Sequence, residues 1–165
     1  MAIRQRHIVA NYLKINTGEK EEYVRLTMGF SELNESYSPV VTSKRYIHQK
    51  SATSSISGYE WESAFTADDI KDEKVIEIIK SIAKEEKLGE DCEFMYCVVD
   101  TDEAGATDGT FYARQRKVGV VVDELGEEDG NLQITGQFVG VTDWEIGTFE
   151  LATKTFTAVQ KKGSR

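Results

Sequence analysis

The stretch Tyr46-Ile-His-Gln-Lys-Ser-Ala-Thr-Ser-Ser-Ile-Ser-Gly-Tyr-Glu-Trp-Glu-Ser-Ala-Phe65 constrains this chain more than any other. In its second half Tyr59, Trp61 and Phe65 fall on one side of an extended chain, and Glu60, Glu62 and Ala64 on the other. Successive side chains of a strand point to opposite faces, so this alternation describes a strand between an aromatic core and a wet, acidic surface. The preceding run, Ser51 to Ser57, is small and hydroxylated and suits a loop or hairpin arm.

The rest of the chain predicts strands with one helix. Residues Met1 to Asn16 read as an arm feeding a strand, Tyr23 to Met28 is rich in strand formers, and Phe30 to Pro39 reads as a loop. Val40 to Gln49 is extended again and, with the Ser-rich run, predicts a protruding hairpin arm over about 31–57. From Asp69 to Leu88 apolar residues recur at Val75, Ile78, Ile79, Ile82 and Ala83, the spacing of a helix that buries one stripe. Thr66 and Asp69 form an imperfect capping box, and Gly89 supplies the stop. Cys92 to Val99, Phe111 to Asp123, Leu132 to Phe138 and Phe149 to Leu151 read as strands, with Glu124 to Gly130 as a turn. The fold class is therefore α+β: a mainly antiparallel β-sandwich or partial barrel with one flanking helix. A single domain spans 1–165, with an N-terminal arm at about 1–10 and a polar, fraying tail at about 158–165.

Charge narrows the function. With 29 acidic and 20 basic residues the formal net charge is −9, which disfavours the dense cation clusters that phosphate binding needs. Cys92 and Cys97 stand an odd number apart in what reads as one strand, so they face opposite ways and predict neither a disulfide nor a metal site. The N-terminus lacks the apolar stretch of a signal peptide and no apolar run reaches transmembrane length, so the expectation is synthesis in a reducing cytoplasm without membrane association.

No catalytic constellation emerges. His7 and His48 have no Ser or Cys nucleophile placed beside them. The acidic loop Asp100 to Asp108 departs from a calcium loop, with Ala104 at the fifth position and Phe111 at the twelfth. The glycines lie at strand ends rather than in a phosphate cradle, and Arg114, Arg116 and Lys117 suit cross-strand or subunit salt bridges. The expectation is a non-enzyme without cofactor or metal.

The segment Tyr46 to Glu60 resembles a string shared by the tail tube (major tail) proteins of long-tailed bacteriophages, Tyr-Ile-x-x-Lys-Ser-Ala-Thr-Ser-Ser-Ile-x-Gly-Tyr-Glu. Three further places are similar: the helix following Gly58-Tyr59-Glu60, the strand Tyr112 to Glu124 with its Ala113-Arg114 and Val120-Val121-Val122-Asp123, and the closing Gly147-Thr148-Phe149 with Thr153-Lys154-Thr155-Phe156-Thr157. The likeness begins at Ala10-Asn11-Tyr12-Leu13 and is weakest in the loop from Asp100 to Gly109. It implies the phage tail tube fold and a structural virion protein. Such subunits form hexameric rings stacked into a tube around a tape-measure protein, bounded by tail tip and tail terminator proteins. The genome passes through the lumen without specific binding. Assembly would occur in the host cytoplasm and the product would reside in the virion tail.

An acidic lumen repels DNA phosphates, which makes Glu60 and Glu62 the candidate lumen-facing residues. Tyr46, Ile47, Lys50, Ser51, Thr53, Ser54, Ser55 and Ile56 are the candidate contacts of an arm that reaches the next ring or subunit. Two alternatives stand beside this. One is the tube of a contractile or type VI-like particle. The other is a stand-alone β-sandwich binding module with Trp61, Trp144 and Tyr59 as its platform.

Overall fold

The computed structural model describes residues 2–159. Eleven strands run in the order β1 Val9–Asn16, β2 Glu21–Arg25, β3 Phe30–Ser36, β4 Pro39–Lys44, β5 Thr53–Tyr59, β6 Glu62–Asp68, β7 Glu93–Ala104, β8 Thr110–Glu128, β9 Asn131–Gly140, β10 Glu145–Glu150 and β11 Thr155–Ala158. One helix, α1 Lys74–Lys84, lies between β6 and β7. The α+β expectation holds.

Nine strands join one antiparallel sheet, seven of them in the order β2-β1-β7-β8-β9-β6-β3 and two, β10 and β11, on a branch. β8 is the organising strand. On one side it pairs with β7; on the other its first part (Thr110 to Gln115) pairs with β10 and its second (Val118 to Glu128) with β9. The sheet thus forks along β8, and β11 extends the β10 branch.

Each face of the sheet carries its own core. Leu13, Tyr96, Val98, Val118, Val120, Phe138 and Phe65 pack with Val75, Ile76, Ile79 and Ile82 of α1. The opposite face gathers Ala10, Tyr12, Tyr23, Cys97, Val99, Ala113 and Phe149. The period of two along β7 sends Tyr96 and Val98 to the first cluster and Cys97 and Val99 to the second. Tyr12 and Phe149 rings lie 4.6 Å apart, which shows how closely the β10 branch curls over β1.

Several local expectations are corrected. Phe30 to Pro39 is not a loop: β3 pairs with β6 from Phe30↔Ala67 to Ser36↔Glu62, so the protruding arm narrows from about 31–57 to β4 and β5. The N-terminal arm is shorter than 1–10, because a 3-10 turn forms at Arg6–Ile8 and Ala10 is only 1% exposed. Ala158 pairs with Gly147, and the remainder of the expected tail, 160–165, lies outside the described residues. Strand β8 runs through the turn expected at Glu124, and the reversal is made by Asp129 and Gly130 at φ 52° and 83°, the pair of positive φ that a tight hairpin turn needs.

The helix is likewise shorter than its periodicity. Thr66 is spent in β6 and forms no cap; α1 starts after Glu73, without a side-chain cap. It ends not at Gly89 but at Glu86, which takes φ 49° while Lys87 N–H bonds the Ile82 carbonyl at 3.0 Å and Glu86 N–H bonds that of Ala83 at 3.2 Å. These two bonds form a Schellman motif closed by a non-glycine residue. Cys92 lies in the 3-10 turn Gly89–Cys92, not in the strand of Cys97, and both thiols are free.

Candidate functional site

Among the described residues the hairpin β4-β5 pairs only with itself, from Pro39↔Tyr59 to Lys44↔Thr53. Its base is pinched where Glu60 N–H bonds the Ser38 carbonyl at 3.2 Å. Six registered pairs at about 3.3 Å each carry the tip about 20 Å from that base. Every β4 side chain is exposed, and Val41, Tyr46, Ile47, Ile56 and Tyr59 present large apolar surfaces to solvent, Ile47 most of all at 107% relative exposure. All eight candidate arm residues (Tyr46, Ile47, Lys50, Ser51, Thr53, Ser54, Ser55 and Ile56) lie in β5 or in the β4-β5 connection. Tyr59 parts company with Trp61: it ends the hairpin at 62% exposure, whereas Trp61 is 5% exposed, so the alternation breaks at Glu60.

A second surface is the outward face of the β3-β6-β9 region. Trp61, Ser63, Phe65 and Ala67 turn inward, while Glu62, Ala64, Thr66 and Asp68 turn outward. Register places Val139, Gln137, Thr135 and Gln133 of β9 beside those four, and Asn34 and Glu32 of β3 beside Ala64 and Thr66. This face holds Glu32, Glu62 and Asp68 amid amides and hydroxyls, with no cation in the registered positions. Glu62 belongs to it. Glu60 is exposed but stands before β6 at the hairpin base. Glu32, Asp68, Gln133 and Gln137 were missed by sequence reasoning, although the polar alternation Gln133, Thr135, Gln137 was the available signal.

The proposed aromatic platform does not form. Trp61 packs against Trp144 edge-on at 5.1 Å and against Tyr96 at 5.9 Å. Arg116 lies 5.0 Å from both indole rings, and Arg114 lies 4.3 Å from Trp144. Arg114 also donates two 2.7 Å bonds to the Glu35 carboxylate and one of 2.9 Å to Tyr37 Oη. Burial opposes the Arg114 charge, yet Glu35 and Tyr37 outweigh it and raise its pKa. Arg114 thus latches β8 to β3 across one end of the core, while Arg116 donates to the Thr142 carbonyl at 2.8 Å and Lys117 reaches Glu93 at 3.9 Å.

Among the described residues no group of three or more His, Cys, Asp or Glu side chains is placed to hold a metal, and no helix is long and apolar enough to cross a membrane. The second core holds Tyr23 and Cys97, whose pKa values burial raises, that of Cys97 to about 12.

No family model and no curated protein matches this chain. Solved structures do. The tail of an empty gene transfer agent particle, computed with helical refinement under C6 symmetry, is similar over 94% of this chain and 100% of that one, with a TM-score of 0.59 and 11% identity. The virion of the native gene transfer agent particle is similar over the same shares, at 0.57 and 10%. The baseplate of the anti-feeding prophage, 6-fold symmetrised, is similar over 88% of this chain and 95% of that one, at 0.53 and 9%. At these identities the likeness is one of fold, and that fold is the one used by chains of phage-like tails and baseplates.

Proposed function

We propose that this chain is the repeating subunit of a phage-type tail tube: a structural, non-catalytic virion protein that closes into rings of six and stacks into a conduit for the genome. One observation carries the reading. The chain shares its fold over 94% of its length with a chain of a tail solved under C6 symmetry, and among the described residues its exposed hairpin has no strand partner but itself. A long exposed hairpin with apolar side chains costs ordering entropy that a neighbouring subunit can offset. The outward face of β3-β6-β9, with Glu62 on it and Glu60 at its margin, is assigned to the lumen, where carboxylates keep DNA from adsorbing. Its partners are other copies of itself, a tape-measure protein within, and tail tip and terminator proteins at the ends. Assembly takes place in the host cytoplasm.

Negative-stain electron microscopy of the concentrated protein tests this. Six-fold rings or hollow tubes are expected. A subunit that stays monomeric even with tail tip and tape-measure protein added would overturn the reading. A second reading, a baseplate ring subunit rather than a tube subunit, draws on the baseplate likeness. It predicts rings that stop after one layer, whereas the tube reading predicts indefinite stacking.

A further inference from the structure

Strand β8 carries a bare edge. Its pairing with β7 ends at Glu93↔Gly119, while its pairing with β9 continues to Glu128↔Asn131. From Val120 to Glu128, therefore, one side of β8 has no strand partner among the described residues. A groove of about 750 Å³ runs along this edge, between β8 and the segment that leaves α1, and Leu88, Leu125 and Val141 expose apolar surface into it. Its lining contains four carboxylates (Glu86, Glu93, Asp123 and Glu124) against one cation, Lys87, and among the described residues only Glu93 of the four has a cation beside it, Lys117 at 3.9 Å. Lys87 is already held by Glu85 at 3.3 Å. Further along β8 follow Glu127, Glu128 and the turn residue Asp129.

The hairpin β4-β5 is the complement. Between Pro39 and Tyr59 the chain has three cations, Lys44, Arg45 and Lys50, and no carboxylate. None of the three is ion-paired among the described residues, and Lys44 lies over the Tyr46 ring at 5.0 Å. Among the described residues both outer edges of the hairpin are unpaired, and its tip is apolar at Tyr46 and Ile47. Groove and hairpin thus match in three independent respects: a strand edge for a strand edge, apolar surface for apolar surface, and negative charge for positive.

We infer that the β8-edge groove is the acceptor for the β4-β5 hairpin of a second copy of this chain, whose Lys44, Arg45 and Lys50 lie against Asp123, Glu124 and Glu86. Donor and acceptor are different surfaces of one molecule, so the contact is heterologous. It generates a closed ring or an open-ended stack rather than an isolated pair. The inference rests on the proposed self-assembly and adds where the arm docks.

Two full-length variants test it, both in a Cys92→Ser background to remove the thiol lining the groove. One carries Ile47→Cys and the other Leu125→Cys; the two are mixed under mild oxidation, with Lys71→Cys replacing Leu125→Cys as control. Docking raises the local thiol concentration, so the 47–125 disulfide should form about tenfold faster than the 47–71 control. A parallel arm reverses charge: Asp123→Lys with Glu124→Lys should abolish assembly, Lys44→Glu with Arg45→Glu should do the same, and mixing the two reversed proteins should restore it. Selective crosslinking without rings or tubes, even with tail tip and tape-measure protein added, supports the docking site and overturns the tube reading. Tubes that form without selective crosslinking, and that survive reversal in the groove, overturn the docking site and leave the tube reading standing. Neither crosslinks nor tubes, with tail tip and tape-measure protein added, overturns both.

Discussion

Arg114 shows how much one side chain holds here. Its two bonds to Glu35 and its stacking on Trp144 join β8 to β3, and both partners of the ion pair are mostly shielded. Replacing it by Met leaves the Glu35 carboxylate beside the Trp61 indole, whose N–H lies 3.2 Å away, without its counter-charge. Arg114→Met should cost about 2–3 kcal/mol in denaturant unfolding, because the orphaned partner, not the lost attraction alone, sets the loss. The exposed Lys20–Glu22 pair, 3.9 Å apart, is the contrast: Lys20→Ala should change stability by less than about 0.5 kcal/mol. Burial also decides the alkaline limit. It pushes the Cys97 thiol and, with Glu35 adding to the effect, the Tyr96 phenol from ordinary values of 9.0 and 10.0 up to about 12. Both groups keep their protons longer when folded, so their contribution is intact below about pH 9 and is lost as pH rises toward 12. Thermal melts from pH 7 to 11 should show stability falling only above that lower bound, with Tyr96 phenolate absorbance appearing together with unfolding.

At the scale of elements, two backbone sites carry strain or closeness that composition does not announce. Glu86 closes the Schellman motif of α1 at a positive φ, where a side chain is disfavoured and glycine is not. Glu86→Gly should therefore stabilise the protein by about 1 kcal/mol, read as a higher denaturation midpoint at unchanged slope. Gly136 sits opposite Val122, where β8 bulges before Glu124. A Cβ there would run into the Val121 carbonyl and come within 3.0 Å of Phe65. Gly136→Ala should cost about 2–3 kcal/mol, a larger loss than an ordinary mid-strand substitution, because backbone rather than a movable side chain is in the way.

At the scale of the whole molecule the hairpin can be removed cleanly. Ser38 and Glu60 are bonded across its base, so replacing residues 39–59 by a short Gly-rich linker leaves β3 and β6 paired. The excised chain should keep its near-native melting temperature and circular dichroism yet form no rings or tubes by electron microscopy. Loss of the fold would show that the hairpin also supports the monomer. The lumen assignment is tested separately: Glu60→Lys with Glu62→Lys should still assemble, while tubes of that variant retain DNA at low salt and release it as salt rises.

Helical and strand periodicities, the hairpin around the Ser-rich run and the inward set Trp61, Phe65 and Ile79 were legible residue by residue, because side-chain alternation is a local property of the backbone, although Tyr59 of the same alternation turned outward. So was the acidic balance. The end of α1 was not: the reversal comes three residues before Gly89, at Glu86, where the Cys92 thiol donates to the Lys87 carbonyl of the same turn at 2.9 Å, a contact that propensity does not record. Nor was β3 legible, since its polar residues pair in a strand only because β6 offers an edge. The fates of Trp61, Trp144, Arg114 and Arg116 also depended on chain segments far apart in sequence. Only the curled sheet brings a loop tryptophan and two β8 arginines onto one aromatic cluster, which closes what read as a binding platform. The bare edge of β8 is likewise a tertiary fact: β7 starts too late to cover it, and no pattern within β8 itself records where its neighbour begins.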